Sequence, residues 1–386
     1  MNLSVPILAF AFAAGQLIRI PIGNQGISIL DITVVLFCLA GLLRLKLHLK
    51  KPPAQIKAAL IFTAVACLSL ILTPLQLKPP EYLISFSYTV RFFLYVLFTW
   101  LVYSGAFGNL QIKITKVFLL SGVAFAVLGL LQFIFYPDLR FLNTLGWDPH
   151  YFRTISTFLD PNFTGAFLVL TMLTLTASHL GSGPGRPPGV FYIFFAIIYL
   201  ALLTTFSRSS YLMFLAGGLT FSILKKSKVF IILTLTLFSI LLLAFQLYTR
   251  LISLPHNIDR IQSATLRFNT WQQGLILFQS NPILGVGFNS YRYALSSYRL
   301  GDEQFLQSHG ATSNDSSLLF AASTTGILGL IAYAYFLWTI LRLFKQNNLL
   351  VTTGLAGLLI HSFFANSLFY PPILAWVLLT SLNPKK

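Results

Sequence analysis

The chain carries very little charge, and acidic charge is the scarcest. Charged residues make up 9% of its 386 residues, and Asp and Glu together number 9. Soluble domains carry about 25% charged residues. Because the chain is also 56% hydrophobic, it is predicted to be an integral membrane protein rather than a soluble domain.

The chain also lacks the signatures of several functional classes. Its 2 cysteines, Cys38 and Cys67, lie inside apolar stretches and are interpreted as core residues. No Cys/His cluster has the spacing of metal ligands, and the sequence has neither a Walker A loop nor a dinucleotide fingerprint. We therefore expect no metal, no cofactor and no nucleotide-driven pump.

What the chain does have is a series of apolar runs that approach the length of a membrane span. The runs lack the alternation of an outer-membrane barrel, so they predict an all-α polytopic membrane protein with about twelve spans. These spans lie near residues 3–20, 28–44, 57–75, 84–104, 116–135, 161–180, 189–206, 208–224, 229–247, 315–341, 348–366 and 369–383.

The distribution of charge predicts the orientation of these spans. In a soluble protein the net charge of +17 would suggest a nucleic-acid partner, but here it indicates basic cytoplasmic loops, and no nucleic acid is expected. Both termini are predicted to be cytoplasmic. The basic residues on that side are Arg44, Lys46, Lys50, Lys51, Lys57, Lys113, Lys116, Arg186, Lys225, Lys226, Lys228, Arg342, Lys345, Lys385 and Lys386. The acids on or near the opposite side are Asp31, Glu81, Asp138, Asp148, Asp160, Asp259, Asp302, Glu303 and Asp315.

One long polar segment, roughly Tyr248 to Asn314, interrupts the apolar runs. It divides the chain into residues 1–247 with nine predicted spans, an extracytoplasmic loop at 248–314 with short helices, and residues 315–386 with three spans. Its arginines and aromatics are Arg250, Arg260, Arg267, Arg292, Arg299, Phe268, Trp271, Phe288, Tyr291, Tyr293 and Tyr298. Arginine binds phosphate oxygens in a planar fork, and aromatic faces stack on sugars or acyl chains. The segment therefore predicts an anionic substrate that is sugar-like or lipid-linked.

Two polar sequences stand at the entries to predicted spans. Asp160-Pro161-Asn162 has the residues of a helix start. It either only caps the helix or also uses Asn162 and free backbone N–H groups to bind phosphate or sugar hydroxyls. Arg208, in Thr204-Thr-Phe-Ser-Arg-Ser-Ser-Tyr211, either reaches the lipid headgroups or faces a polar cavity.

The polar segment contains a third candidate. Arg267 and Trp271 are four residues apart and would share one face of a helix, which is either part of a site or an amphipathic helix on the membrane surface. In Pro282-Ile-Leu-Gly-Val-Gly-Phe-Asn-Ser-Tyr291, Gly285 and Gly287 allow a tight turn.

The remaining candidates are titratable residues at or inside spans. His309 and Asp315 precede a span, and each is either a general base or, respectively, an exposed loop residue and a helix cap. Arg91 and Asp31 lie near or inside spans, where an arginine needs a partner and is a functional candidate.

In this order, these sequences resemble the bacterial O-antigen ligase and polysaccharide polymerase superfamily. Its members carry an Asn-Pro-Asn-like span entry, a Ser-Arg turn, an Arg-x-x-x-Trp helix, a Pro-x-x-Gly-x-Gly turn, and a His-Asn or Asp-Asn pair before Gly-x-x-Gly. The corresponding segments are Asp160-Pro161-Asn162, Ser207-Arg208-Ser209, Arg267 to Trp271, Pro282 to Gly287, Asp315-Ser316 and Gly326 to Gly329. The chain departs from the pattern because the ligases' His-Asn pair is absent and Thr324 replaces an acid before the glycine.

The resemblance implies a GT-C-like fold in the bacterial inner membrane and a metal-independent, inverting glycan transfer. The donor would be a glycan on polyprenyl pyrophosphate, and the acceptor would be a hydroxyl of a glycan, lipid or protein. Asp315 or His309 would deprotonate the acceptor, and the spans would hold the lipid tail. The residues implied to bind the pyrophosphate are Arg267 and Arg208, with Arg91 or Arg153 assisting. The further residues expected to contact substrate are Asp160, Asn162, Trp271, Asn289 and Tyr291.

A transporter or flippase for an anionic or lipid-linked substrate is the main alternative. Such a protein typically shows inverted repeats and charges deep in several spans. This sequence shows one clear intramembrane arginine and no internal repeat, which favours the enzyme. The choice between ligase and polymerase stays open.

Overall fold

The structure, a computed structural model, describes residues 3–22, 25–181, 188–253, 260–343 and 348–382. Within these ranges the chain is mostly α-helical. The longer helices are α1 (Ser4–Ala14), α2 (Ile29–Leu45), α3 (Ala54–Ile71), α4 (Pro79–Ser104), α5 (Leu110–Phe135), α6 (Pro161–Gly181), α7 (Pro188–Thr205), α8 (Arg208–Leu224), α9 (Lys228–Tyr248) and α10 (Arg260–Ser280). After these follow α11 (Tyr291–Ser297), α12 (Glu303–Gln307), α13 (Ser317–Leu341), α14 (Leu349–His361) and α15 (Pro371–Thr380).

These helices confirm the predicted all-α class. In the described ranges, 6 helices are long and apolar enough to cross a membrane, namely α3, α4, α5, α6, α9 and α13. Four more apolar helices, α1, α7, α14 and α15, are shorter. The count of twelve spans, the orientation and the division of the chain at residues 248 and 315 stay predictions. Among the residues used for orientation, those outside the described ranges are Arg186, Asp259, Lys345, Lys385 and Lys386.

Two small antiparallel hairpins lie in the connections between helices. Strands β1 (Arg19–Ile22) and β2 (Gln25–Ser28) join α1 to α2, with Arg19 opposite Ser28. Strands β3 (Asp138–Leu139) and β4 (His150–Tyr151) lie in the connection from α5 to α6. Short 3-10 helices at Arg140–Leu145, Ser156–Phe158, His309–Thr312 and Ser367–Phe369 complete the connections.

The core is built by helices that are distant in sequence. Helix α14 packs on α8, α13 packs on α3, and α10 packs on α13. Aromatic rings fill the contact between α3, α13 and the segment after α10, where Phe62 packs against Phe288 and Tyr333. These contacts place the polar segment directly against the helical core.

A turn between α10 and α11 inserts into a break in α13. Helix α13 is interrupted at Gly326, whose φ of 63° is left-handed. The backbone N–H groups of Val286 and Gly287 donate to the carbonyls of Ser323 and Thr324, both at 3.0 Å. In return, the N–H of Ile327 donates to the carbonyl of Pro282 at 2.8 Å. The turn thus satisfies the backbone groups that the broken helix leaves open, as buried irregular backbone requires.

Candidate functional site

The site begins at the start of α6, where Asp160 caps the helix. One Asp160 carboxylate oxygen, Oδ1, accepts hydrogen bonds from the backbone N–H groups of Asn162 at 2.7 Å and Phe163 at 3.0 Å. Pro161 occupies the first helical position, where its missing N–H costs nothing. Burial raises the pKa of the Asp160 carboxyl, although the two backbone N–H groups oppose this shift. The geometry therefore gives Asp160 the capping role.

Asn162 joins this helix start to the turn between α7 and α8. Its side-chain oxygen accepts from the hydroxyls of Ser207 at 2.8 Å and Ser209 at 3.2 Å. The hydroxyl of Ser210 donates to the backbone carbonyl of Asn162 at 3.0 Å. Two sequence motifs about forty-five residues apart are thus locked together, and Arg208 is fixed between the bonded serines.

Arg153 holds the same turn from the other side. Its Nε donates to the carbonyl of Thr205 at 2.9 Å, and its Nη2 donates to that of Phe206 at 3.3 Å. Burial lowers the pKa of the Arg153 guanidinium. Arg153 is therefore engaged mainly in positioning the turn that carries Arg208.

Asp315 is held beside α10 by its neighbours. Thr270 on α10 donates from its hydroxyl to Asp315 Oδ2 at 3.1 Å. The fully buried Asn314 donates to the carbonyl of Thr270 and, at 2.9 Å, to the Tyr291 hydroxyl. Ser316 caps α13 by accepting from the N–H of Leu319. Asp315 itself remains half-buried.

The charged side chains from these elements converge. Arg267 interacts electrostatically with Asp315, Arg153 and Arg208. Asp148, in the connection before α6, interacts with Asp315 and Arg153. Asp148 is exposed to solvent, although protein atoms also lie around its carboxyl group. Burial and the Asp315 charge raise the pKa of the Asp148 carboxyl, and Arg153 opposes them.

Arg208 and Arg267 lie near enough to each other to interact electrostatically, and Asp315 is an acid on which Arg267 acts. Neither forms an ion pair with any residue that the structure describes. The guanidinium carbon of Arg208 lies 5.7 Å from the centre of the Phe245 ring. Two close, unpaired guanidinium groups suit a multivalent anion, because each can offer a planar fork of donors to phosphate oxygens.

Arg91 has a different environment. It forms an ion pair with Asp31 at 2.9 Å, and Asp31 also accepts from the Tyr95 hydroxyl at 3.0 Å. The partner that an intramembrane arginine needs is therefore Asp31, on α2. The described contacts of Arg91 do not bring it to Arg267 or Arg208.

His309 likewise lies apart from the arginine pair. Its ring stacks on Trp147 with centroids 4.6 Å apart and an interplanar angle of 25°. The Arg19 guanidinium lies 5.3 Å from the same tryptophan ring. Of the two candidates for a general base, the structure places Asp315, rather than His309, beside Arg267.

Three further predicted residues lie around α10 and α11. Tyr291 is fully buried, and its hydroxyl donates to the carbonyl of Thr270 at 3.2 Å. It therefore supports α10 from the interior of the protein. The backbone carbonyl of Asn289 accepts a hydrogen bond from the hydroxyl of Ser85, a residue of α4, at 3.3 Å. Trp271, one turn after Arg267, lies with its ring centre 6.1 Å from that of Phe364.

Two charged or titratable neighbours of the site were not predicted from the sequence. Asp148 carries no local signal, since it lies in an ordinary loop. His361 lies at the end of α14 with Nε2 at 3.3 Å from the Ser209 hydroxyl, and it interacts electrostatically with Arg267. A histidine at the end of an apolar run marks a candidate functional residue. The sequence of the run does not show, however, which face of α14 packs on α8.

Part of the chain matches the model of a known protein family. Residues 193–334 match the family model described as O-Antigen ligase. The matched segment includes Arg208, Arg267 and Asp315, whereas Asp160 and His361 lie outside it. A search of curated proteins gave no match.

Proposed function

We propose that the chain transfers a glycan from polyprenyl pyrophosphate to an acceptor hydroxyl, and the match of residues 193–334 to the O-Antigen ligase family model supports this proposal. The reaction takes place at the outer face of the bacterial cytoplasmic membrane. The observation that carries this proposal is the unpaired Arg208 and Arg267 beside the half-buried carboxylate of Asp315. This arrangement offers positive charge for a pyrophosphate and a base for a hydroxyl at one place.

The arginine pair binds the leaving group. Forks of N–H donors from Arg208 and Arg267 hold oxygens of the donor pyrophosphate. As the bond between the anomeric carbon and the phosphate oxygen breaks, negative charge accumulates on the pyrophosphate. Fixed guanidinium groups stabilise that charge more strongly in the transition state than in the bound donor. The arginines take the part that a divalent cation plays in many phosphate enzymes, so the transfer proceeds without a metal.

Asp315 accepts the proton of the attacking hydroxyl. The deprotonated oxygen forms its bond to the anomeric carbon from the face opposite the pyrophosphate, and polyprenyl pyrophosphate leaves with the bonding electrons. A single displacement of this kind inverts the anomeric carbon. Thr270 keeps the Asp315 carboxylate oriented through its 3.1 Å hydrogen bond.

The proposed transfer needs two substrates, a donor and an acceptor. The donor is a lipid-linked glycan whose polyprenyl tail lies among the apolar helices, in contact with membrane lipids. The acceptor is a glycan, a lipid or a protein. A ligase attaches one glycan to it, and a polymerase extends the glycan repeatedly. Cell-envelope polysaccharide or lipopolysaccharide biosynthesis is the process in which either activity is used.

The test is glycan transfer by purified protein in liposomes that contain a polyprenyl-pyrophosphate oligosaccharide, with EDTA present. Wild-type protein should release polyprenyl pyrophosphate, and product length separates polymerase from ligase. Arg208→Ala and Arg267→Ala should each lower the rate by about a hundredfold or more. Arg140→Ala is the matched control, since Arg140 is exposed and pairs with Asp138 at 2.6 Å.

Near-normal transfer by both site variants would show that the arginine pair does not bind the pyrophosphate. Movement of the lipid-linked glycan across the bilayer without release of polyprenyl pyrophosphate would assign the protein to the transporters.

A further inference from the structure

The loop between α14 and α15, residues 362–370, wraps the start of α13. The N–H of Ser317 donates to the carbonyl of Ser362 at 2.9 Å, and the N–H of Leu368 donates to the Ser317 hydroxyl at 3.2 Å. Both ends of the loop are therefore tied to a residue that lies two positions after Asp315. This holds the 362–370 loop next to the proposed base.

The same loop contacts two other walls of the site. Phe364 faces Trp271 on α10, with ring centres 6.1 Å apart. Tyr370 stacks on Phe163 at the start of α6, with ring centres 4.2 Å apart and an interplanar angle of 11°. The loop therefore extends from the helix that carries Arg267 to the helix that Asp160 caps.

Three buried polar atoms at this place lack a partner. They are Trp271 Nε1, Asn366 Oδ1 and Ser367 Oγ, and no described residue forms a hydrogen bond with any of them. Buried polar groups in native proteins are nearly always hydrogen-bonded, so a group of unpaired atoms in one loop and the facing helix indicates a ligand that supplies the partners. The Trp271 N–H is a hydrogen-bond donor, the Asn366 amide oxygen is an acceptor, and the Ser367 hydroxyl can be either.

The chemistry of the loop narrows the class of ligand. The loop sequence Ser-Phe-Phe-Ala-Asn-Ser-Leu-Phe-Tyr contains no charged residue. Its unpaired groups are an amide oxygen and a hydroxyl, and the facing tryptophan adds one N–H and an aromatic surface. Sugar hydroxyls donate and accept at once, and the C–H face of a sugar ring packs on aromatic rings. Phosphate would instead require cations or several N–H donors.

We propose that the 362–370 loop and Trp271 form a subsite for an uncharged sugar ring beside the arginine pair. Asn366 Oδ1 accepts from one sugar hydroxyl, and Trp271 Nε1 donates to another. This subsite deepens the proposed function and rests on it, since it holds a sugar of the donor or of the acceptor. The 362–370 loop lies outside the matched residues 193–334, whereas Trp271 lies inside them.

The experiment measures binding to purified wild-type protein and to Asn366→Ala, Trp271→Phe and Arg267→Ala. The probes are a polyprenyl-pyrophosphate oligosaccharide, bare polyprenyl pyrophosphate, and the free oligosaccharide. Asn366→Ala and Trp271→Phe should each weaken binding of a sugar-bearing probe by about tenfold and leave bare polyprenyl pyrophosphate unchanged. Asn143→Ala, at an exposed position of the 3-10 helix Arg140–Leu145, is the control and should bind all three probes like wild type.

The probe that loses affinity identifies the source of the sugar. Loss with the lipid-linked oligosaccharide places the donor sugar in the subsite, and loss with the free oligosaccharide alone places the acceptor sugar there. Unchanged binding of both, or an equal loss with bare polyprenyl pyrophosphate, overturns the subsite. Trp271→Phe retains the aromatic ring, so it tests the N–H even where Asn366→Ala fails to fold. Unchanged binding by Arg267→Ala would instead refute the pyrophosphate site, which is a separate failure.

Discussion

Asp315 and His309 lie close together in the chain but have different neighbours. The Asp315 carboxylate is hydrogen-bonded to Thr270 and lies within the electrostatic field of Arg267. The His309 ring stacks on Trp147, and the charges acting on it come from Arg19 and Arg292. A base must reach the hydroxyl that attacks next to the pyrophosphate, so its position relative to the arginine pair matters most.

We therefore predict that Asp315→Asn lowers the rate of glycan transfer by about 10²- to 10⁴-fold, while His309→Ala keeps most of the activity. Asn is nearly the same size as Asp and can still interact with Thr270, so the loss reports the missing base. Initial rates with the lipid-linked donor measure both variants. The opposite pattern, with an active Asp315→Asn and an inactive His309→Ala, would transfer the role of base to His309.

The carboxyl group of Asp148 should make the thermal stability of the protein depend on pH. Burial and the Asp315 charge raise the pKa of Asp148 in the folded protein above its value in the unfolded chain. Its charged form therefore costs stability at neutral pH, and that cost disappears as pH falls through the raised pKa to about pH 4. Asp148→Asn should unfold about 1 °C above wild type at neutral pH, since exposure screens the charge, and the difference should vanish near pH 4.

Asp138→Asn is the control of opposite sign. Hydrogen bonds from Arg140 lower the pKa of Asp138, so the wild-type carboxylate stabilises the fold at neutral pH and loses this effect as pH falls through the lowered pKa. Thermal unfolding in detergent across the same pH range measures both variants. A gap between Asp148→Asn and wild type that widens as pH falls would contradict the assignment.

At the scale of elements, the contact between the 282–287 turn and the break in α13 connects the polar segment to the core. Gly285 and Gly326 face each other there, both with positive φ, of 69° and 63°. A Cβ on Gly326 would overlap the backbone of Ile283, and one on Gly285 would overlap that of Thr324. The turn and α13 cannot move apart at this contact without breaking the backbone hydrogen bonds that join them.

Gly326→Ala and Gly285→Ala are predicted to destabilise the protein by about 2 to 4 kcal/mol, because positive φ and steric overlap act together. Gly105→Ala is the matched control. Gly105 has a φ of 92° but no atom within 4 Å of the position of its missing Cβ, so alanine there carries only the backbone strain. In detergent, Gly105→Ala should unfold at a clearly higher temperature than Gly326→Ala and Gly285→Ala. Equal unfolding temperatures would show that the contact between the 282–287 turn and α13 does not contribute to stability.

The same contact shows what sequence reasoning can and cannot predict. Apolar runs predicted helices close to α2, α4 and α8, since a buried or lipid-facing helix needs little beyond composition and caps. Glycines at 285 and 287 predicted a turn, but its docking partner lies about forty residues away and only tertiary packing identifies it. Arg208, Arg267 and Asp315 were predicted as site residues from the order of their motifs, and their roles stay predictions.

Asp148 and the 362–370 loop had no such motif, because their relation to the site comes from packing between distant helices. Arg153 and Asn162 were predicted from the sequence to contact substrate, and the structure shows that both also hydrogen-bond to another part of the chain. Both bind the α7–α8 turn, so their polar groups are engaged in placing Arg208. Residue type and position at a span entry identify such side chains, whereas the partner each one selects depends on the assembled fold.

At the scale of the whole molecule, function depends on which side of the membrane the site faces. Lipid-linked glycan donors of the proposed class are used at the outer leaflet, so Arg208, Arg267 and Asp315 must open to that side. The basic loops predict this orientation, because lysine and arginine near span ends favour the cytoplasm. The connection between α2 and α3 carries Lys50 and Lys51, whereas the connection between α5 and α6 carries Asp148 and contributes Arg153 to the site.

We predict that single cysteines will report this orientation in intact cells. After Cys38→Ala and Cys67→Ala, a membrane-impermeant maleimide should label Asn143→Cys, in the connection that carries Asp148, and should not label Lys51→Cys until the membrane is permeabilised. Both positions are exposed in the structure, so reactivity depends on the side of the membrane and not on burial. Labelling of Lys51→Cys alone would place the arginine pair in the cytoplasm, where it would meet a donor at the inner leaflet, and the proposed outer-leaflet transfer would be wrong.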